Sequence, residues 1–349
     1  MVTIPYNNTD FAFTLNDLFL LFSTETANTY FTLKITINYY DFYKATAKQK
    51  VLDYKIPLFQ NAAEFNIGRK IDRNLGVITE LNALVPQYKT ALVNIEAKEL
   101  NYSDDSLVAT TNLNNIKFIA GVLPAMLSGN TALLNINTNA SRITPSGFVN
   151  VSFLLPAGAN TISIYKNDSL LQEEIITANA TDNVFTKKYT MADYNGLPGD
   201  VLKFKVKDLD VYKSVIVFPE HTFSNHILFI DEFKLLSTLQ CTGDFAFPTA
   251  YNQTTHEYKR NLVEVLEIIE TEKVNSFKIN TGWVLQTDNV TIDSLLRSKK
   301  AWLFINDNYV IEMVPISKKE TNIDSDRDLY EYDLEFQINR AYNAQNYTL

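Results

Sequence analysis

The sequence holds a single cysteine, Cys241, in 349 residues. No disulfide can form within the chain, so stability has to come from packing. Glycine and proline are scarce, at ten each, which excludes collagen-like and Pro/Gly low-complexity chains. Only three histidines occur, His221, His226 and His256. No Cys/His spacing for zinc and no HExxH run is present. Basic residues are in the minority: 31 Lys and Arg stand against 40 Asp and Glu, a net charge of −9. The chain-wide basic footprint of a nucleic-acid binder is therefore missing. Long apolar runs are missing too. The run from Leu18 to Phe22 is too short for a secretory h-region, follows no basic n-region and precedes no cleavage pattern. No stretch approaches a membrane span. The expectation is synthesis in a cytoplasm, no Sec export and no membrane span. Phosphate loops of GxxxxGK[ST] type, GxGxxG and GxSxG are also absent. The expectation is no enzyme, no catalytic residues and no cofactor.

What the chain does have is apolar and aromatic residues. Hydrophobic residues make up 46% of it, with 22 Phe and 19 Tyr, against 20% charged. That composition belongs to a folded protein with real cores, not to a disordered one.

Alternation organises the chain into three blocks. In the first, residues 1–140, YFTLKITINYY puts Phe31, Leu33, Ile35 and Ile37 on one face at period two, as a half-buried strand does. Strands are also expected over 50–59, 90–100 and 115–124. Residues 61–76 switch period, from a short strand into a helical turn carrying Arg69, Lys70 and Arg73 that Gly76 ends. The second block, residues 141–218, shows six short segments at regular spacing: 147–155, 161–167, 170–177, 183–190, 201–208 and 212–218. Asn167-Asp168-Ser169 and the run NGLPGD supply turns. This pattern predicts an immunoglobulin-like or fibronectin-like sandwich without the disulfide.

The third block, residues 219–349, is expected to be an antiparallel β domain with one short helix at 291–300. A strand is expected over 225–236. The stretch 257–280 fits either a helix or a strand pair, and its β-branched content favours strands. A hairpin turns at Asn306-Asp307-Asn308. Along LYEYDLEFQIN, Tyr330, Tyr332, Leu334, Phe336 and Ile338 form one apolar face of an unbroken strand. The helix has Thr291 or Asp288 to cap it, a stripe of Ile292, Leu295 and Leu296, and Arg297, Lys299 and Lys300 at its end. That charge order suits the helix dipole, so helix termination explains the basic cluster better than an anion site does. The whole is mainly β, multi-domain, built of β-sandwiches.

Candidate chemistry is thin. Cys241 and His256 could be paired as nucleophile and base, but no flanking signature supports them, and a lone cysteine is ordinarily a small buried hydrophobe. Asp324, Asp326, Asp328 and Glu335 sit at EF-hand positions 1, 3, 5 and 12, but position 6 is Leu329 instead of glycine, which excludes an EF-hand. The three aspartates remain a weak metal candidate. Tyr39, Tyr40, Phe42 and Tyr43 could stack on a sugar or mark an interface, although a strand end in the core accounts for them as well.

One resemblance stands out. SFKINTGWVLQTDNVTIDSLLRSKKAWLFIND followed by DSDRDLYEYDLEFQINRAYN resembles the C-terminal parts of tail proteins from tailed phages and prophages, especially those of Bacteroidetes hosts. The segment YKIPLFQNAAEFNIGRKI is similar to a strand-turn element nearer the N-terminus of such proteins. The resemblance implies a virion structural protein of a tail or baseplate, in a distal-tail ring or the tail tip. It would assemble with copies of itself and neighbouring tail proteins, touch a host surface glycan or receptor in some cases, and bind no nucleic acid. The matching motifs are structural and carry no catalytic residue. A cell-surface or carbohydrate-binding adhesin module, and a hydrolase acting on a surface polysaccharide, remain the alternatives.

Overall fold

In a computed structural model of the chain, alternation becomes strand along most of the sequence. The structure describes residues 2–4, 11–16, 18–41, 46–75, 85–87, 90–122, 133–135, 137, 139–178, 183–260, 263–306, 309–317 and 329–338.

The first unit contains β1 (Val2–Thr3), β2 (Ala12–Phe13), β3 (Phe19–Ser23), β4 (Thr29–Asp41), β5 (Thr46–Pro57), β6 (Ala62–Asn66), the single-turn helix α1 (Gly68–Asp72), β7 (Val85–Gln87), β8 (Thr90–Asn101) and β9 (Leu107–Ile119). Its main sheet runs β2-β9-β8-β4-β5. Phe31, Leu33, Ile35 and Ile37 of β4 are all buried, as their alternation demands. They share one cluster with Val93, Ile95 and Ala97 of β8, Leu20 and Phe22 of β3, and Ile67 and Ile71 at α1. The small sheet β1-β3-β6, extended by α1, thus forms a second layer over one face of the main sheet. β5 lies at that sheet's edge and is mostly exposed.

The second unit is the expected sandwich: β10 (Ser141–Ile143), β11 (Phe148–Leu155), β12 (Gly158–Lys166), β13 (Ser169–Ala178), β14 (Asn183–Thr190), β15 (Val201–Val206) and β16 (Tyr212–Val217). β11 and β14 pair in one sheet, and β10-β16-β15-β12-β13 make the other. Taken as B, C, C′, E, F and G, strands β11 to β16 divide between the sheets as in immunoglobulin-like domains. The β12–β13 turn has Asn167 at φ 49° and Asp168 at φ 65°, the two left-handed residues a two-residue hairpin loop requires. No disulfide is needed between the sheets. Val151, Phe153, Phe185 and Tyr189 from one meet Ile162, Ile164, Leu202 and Phe204 from the other, with the Tyr189 and Phe204 rings 4.4 Å apart. β7, from the first 140 residues, adds to this sandwich by pairing with β14.

The third unit holds β17 (Asn225–Ile230), β18 (Leu236–Cys241), β19 (Phe245–Ala246), β20 (Thr249–Arg260), β21 (Val263–Asn280), β22 (Val284–Leu285), α2 (Asn289–Arg297), β23 (Ala301–Asn306), β24 (Tyr309–Pro315), β25 (Leu329–Tyr330) and β26 (Asp333–Ile338). The sheet order is β18-β17-β23-β24-β26-β21-β19, antiparallel at every described pair. α2 lays Ile292 and Leu295 into the same core as Phe277, Leu303 and Phe336. The ambiguous stretch 257–280 is strand.

The strand expected over 115–124 is the end of β9, and three elements of the third unit differ from expectation, each for a local reason. Residues 225–236 are not one strand. The chain reverses between Ile230 and Leu236, where buried Asp231 accepts the Leu235 N–H at 3.0 Å and the Ser237 hydroxyl at 2.7 Å, and Lys234 takes φ 57°. The helix spans 289–297, preceded by a 3-10 turn at Gln286–Asp288. Ser298 is extended and its hydroxyl bonds the Lys300 carbonyl at 2.6 Å, so Lys299 and Lys300 lie beyond the helix. Asp288 accepts the Leu285 N–H at 3.2 Å and thereby serves the start of the 3-10 turn. Finally, the strand at 329–338 breaks at Glu331-Tyr332. Tyr332 turns instead to Thr281, whose hydroxyl accepts the Tyr332 N–H at 3.0 Å. All five residues of the expected apolar face are nonetheless buried.

The turn at 231–235 also joins the three units. Phe233 and Leu235 form one cluster with Phe13 and Ile119 of the first unit and Leu154 and Val184 of the second. The N–H of Val122 donates to the Glu232 carbonyl at 2.9 Å. Lys234 pairs with Asp72 of α1, and Arg297 of α2 pairs with Glu232 at 2.6 Å. The short helix therefore covers the third sheet and holds this turn. β11 is buried along its whole length because both its faces are covered. Val151 and Phe153 face the sandwich core, while Phe148 packs with Leu228, Leu236 and Phe304 of the third unit. A polar seam runs alongside. Arg142 donates to the Thr281 carbonyl at 3.2 Å, Asn137 to the Thr287 carbonyl at 2.8 Å, and Gln240 to Thr144 at 2.7 Å.

Candidate functional site

The feature with no structural account inside one copy is the hairpin of β20 and β21. Twelve residue pairs hold the two strands together, from Thr249↔Asn275 to Arg260↔Val263. At about 3.4 Å per residue the ribbon is roughly 40 Å long. Residues 249–257 and 266–271 are exposed without alternation. In a strand, neighbours point to opposite faces, so neither face of this ribbon rests on the rest of the protein. Two-stranded ribbons are marginal by themselves in water and gain from a surface to lie on.

Its side chains differ from one face to the other. Register puts Leu266 opposite Glu257 and Ile268 opposite Thr255, on the face of Tyr251. Leu266 is 62% exposed, Ile268 52% and Tyr251 63%. Ile269, the extra residue where the register shifts between Thr254 and Thr255, is 65% exposed. The opposite face carries Glu267 across from His256, Glu270 across from Thr254 and Glu272 across from Asn252. One face of the arm holds exposed apolar side chains together with Glu257 and Lys273, and the other holds Glu267, Glu270 and Glu272.

The arm is anchored at its base. Phe245 and Phe247 surround buried Phe277 at 6.2 and 4.9 Å, and Phe223 meets Phe245 edge-on at 5.7 Å. Ser276 donates its N–H to the Pro248 carbonyl at 3.0 Å. From Ser276 to Asn280, β21 is a central strand with β26 on one side and β19 on the other. Among the described residues, nothing pairs with its β26-side edge over 263–275.

The residues singled out for chemistry do not converge. Cys241 lies in the third unit's core, where burial pushes its thiol up to about 12, and a thiol held protonated is a poor nucleophile. His256 sits out on the arm, stacked near Tyr258. His226 is buried against Phe148, 4.2 Å ring to ring, and its Nε2 accepts the Phe148 N–H at 3.2 Å. Burial, with Lys188 nearby, pushes this imidazole down to about 3, so it is neutral. His221 is exposed. Asp324, Asp326 and Asp328 lie outside the described residues. Glu335 pairs with Lys278 at 3.2 Å, on an open groove of about 800 Å³ that Asp244, Glu331 and Asp333 also line. Among the described residues no three His, Cys, Asp or Glu side chains gather as a metal set would. Tyr39 packs against the first core, while the side chains of Tyr40, Phe42 and Tyr43 lie outside the described residues. Arg69 and Lys70 sit on α1, with Lys70 5.6 Å from the Tyr54 ring centre. Arg297 and Lys300 are paired with Glu232 and Glu312.

Sequence reasoning missed the arm as a surface because Leu266 and Ile268 look like core residues by period. The available signal was VEVLEIIETE itself, a run with four glutamates and no lysine or arginine. No helix among the described residues is long and apolar enough to cross a membrane. No protein-family model matches the chain, and no curated protein matches it.

Proposed function

We propose that this protein is a structural component of a phage tail or baseplate that works by assembling with copies of itself and with neighbouring proteins. The observation that carries the assembly reading is the arm: a ribbon roughly 40 Å long, exposed on both faces and bearing Leu266, Ile268 and Ile269 in water. Burying such a set on a neighbour contributes about 1.5–3 kcal/mol per fully buried side chain, which gives the arm a reason to project. The resemblance of residues 276–307 and 324–343 to tail proteins supports the placement in a virion. Three β units packed around one shared cluster suit a load-transmitting ring or tip.

The test is oligomeric state. Full-length protein followed by light scattering over increasing concentration is expected to associate. A variant with residues 250–274 replaced by a two-residue turn is expected to stay monomeric with its fold intact. A chain that is monomeric at every concentration, and absent by mass spectrometry from purified virions, would overturn the reading.

A further inference from the structure

We infer that the outer edge of the arm strand β21 pairs with the edge strand β5 of a second copy of this chain, acidic face to basic face. The inference rests on the assembly reading above and names its contact.

An unpaired strand edge is a template for another strand. Besides the arm, the long exposed edges among the described residues are β5, at the end of the first sheet, β13, at the end of a sandwich sheet, and β9 over 107–117, where Lys117 is the one charged residue. Charge separates them. The edge 263–275 of β21 carries Glu264, Glu267, Glu270 and Glu272 against the single base Lys273. β13 carries Glu173 and Glu174, already paired with Lys207 and Lys187, and has no basic residue of its own to attract the acidic arm. β5 carries Lys48, Lys50 and Lys55 against the single acid Asp53. Edge lysines discourage pairing between identical edges, and the same lysines admit an acidic one.

Length and faces agree as well. β5 has 12 residues, and among the described residues no strand pairs with the outer edge of β21 over 263–275. On β5, register places Lys48 opposite Tyr39 and Lys50 opposite Ile37, on one face, while Val51 opposite Thr36 lies on the other and is 41% exposed. On β21, Glu267, Glu270 and Glu272 share one face and Leu266 and Ile268 the other. A single pairing that sets the glutamates beside Lys48 and Lys50 also sets Leu266 and Ile268 beside Val51. The contact joins two different surfaces, so each copy offers one arm and one edge, and the copies link head to tail.

A charge exchange tests this. Lys48→Glu/Lys50→Glu makes both surfaces acidic, and Glu267→Lys/Glu270→Lys makes both basic. All four side chains are solvent-facing or half-buried, so circular dichroism and melting temperature should stay as in the wild type. Each variant alone is expected to need about tenfold or more protein to assemble, read by light scattering. Mixing the two is expected to restore assembly, because each variant's arm then meets an opposite edge. Wild-type protein that assembles while either variant assembles equally well, or while the mixture stays apart, overturns the β5 contact and leaves the assembly reading standing. Wild-type protein that never associates overturns that reading and this contact together.

Discussion

Asp231 and His226 are both buried, and burial moves them in opposite directions along the pH scale. The Asp231 carboxyl is raised from 3.8 to about 7, despite the Ser237 and Leu235 bonds that favour its charge. The native state thus holds a proton that the unfolded chain releases near 3.8. Stability from this group is complete below that value and is lost as pH rises through about 7. His226 is lowered from 6.5 to about 3. The unfolded chain takes up a proton below 6.5 that the native state refuses, so its contribution is lost as pH falls from 6.5 towards 3. Over pH 4–6.5 the two slopes oppose each other. Asp231→Asn is expected to make the protein lose stability on acidification, and His226→Gln to make it gain, by roughly 2–4 kcal/mol each relative to wild type. Melting temperatures across that range check both signs. Gly121 belongs to the same scale. It has φ 113°, and a Cβ there would stand 2.8 Å from the Glu232 carbonyl oxygen and from the Phe233 backbone. Backbone atoms in a packed turn cannot move aside, so Gly121→Ala is expected to cost roughly 2–3 kcal/mol in urea unfolding.

At the scale of elements, much was legible in the sequence. The alternation of β4 and the turn chemistry of Asn167-Asp168 locate real strands and a real hairpin, because period two and left-handed turn residues are local properties. What covers a face is not local. Leu266 and Ile268 repeat at the same spacing as Ile227 and Phe229, yet the first pair is in water and the second in the core. The turn at 231–235 was hidden for a related reason. Phe229, Asp231, Phe233 and Leu235 continue the alternation through the reversal, and no glycine or proline marks it. No interface was legible as such, and the basic run at the helix end pointed to an ion pair with Glu232 only once the turn was in place.

At the scale of the whole molecule, the three units share one small cluster around Phe233. Removing that ring leaves a cavity bordered by all of them, and Phe→Ala in such a place costs about 3–5 kcal/mol. Wild-type protein is expected to unfold in one calorimetric transition. Phe233→Ala is expected to separate it into at least two, since the sandwich and the first unit keep their own cores. One transition of unchanged cooperativity in the variant would mean that the polar seam of Arg142, Asn137 and Gln240, with the Lys234–Asp72 pair to the first unit, is enough to couple the units.

The turn that seals these units is encoded after both of its neighbours. During translation the first sheet and the sandwich leave the ribosome while Phe13, Ile119, Leu154 and Val184 still lack the ring that covers them. Domains fold in order of emergence, so nascent chains arrested before residue 231 should show a sticky apolar spot that vanishes once residue 235 has cleared the exit tunnel.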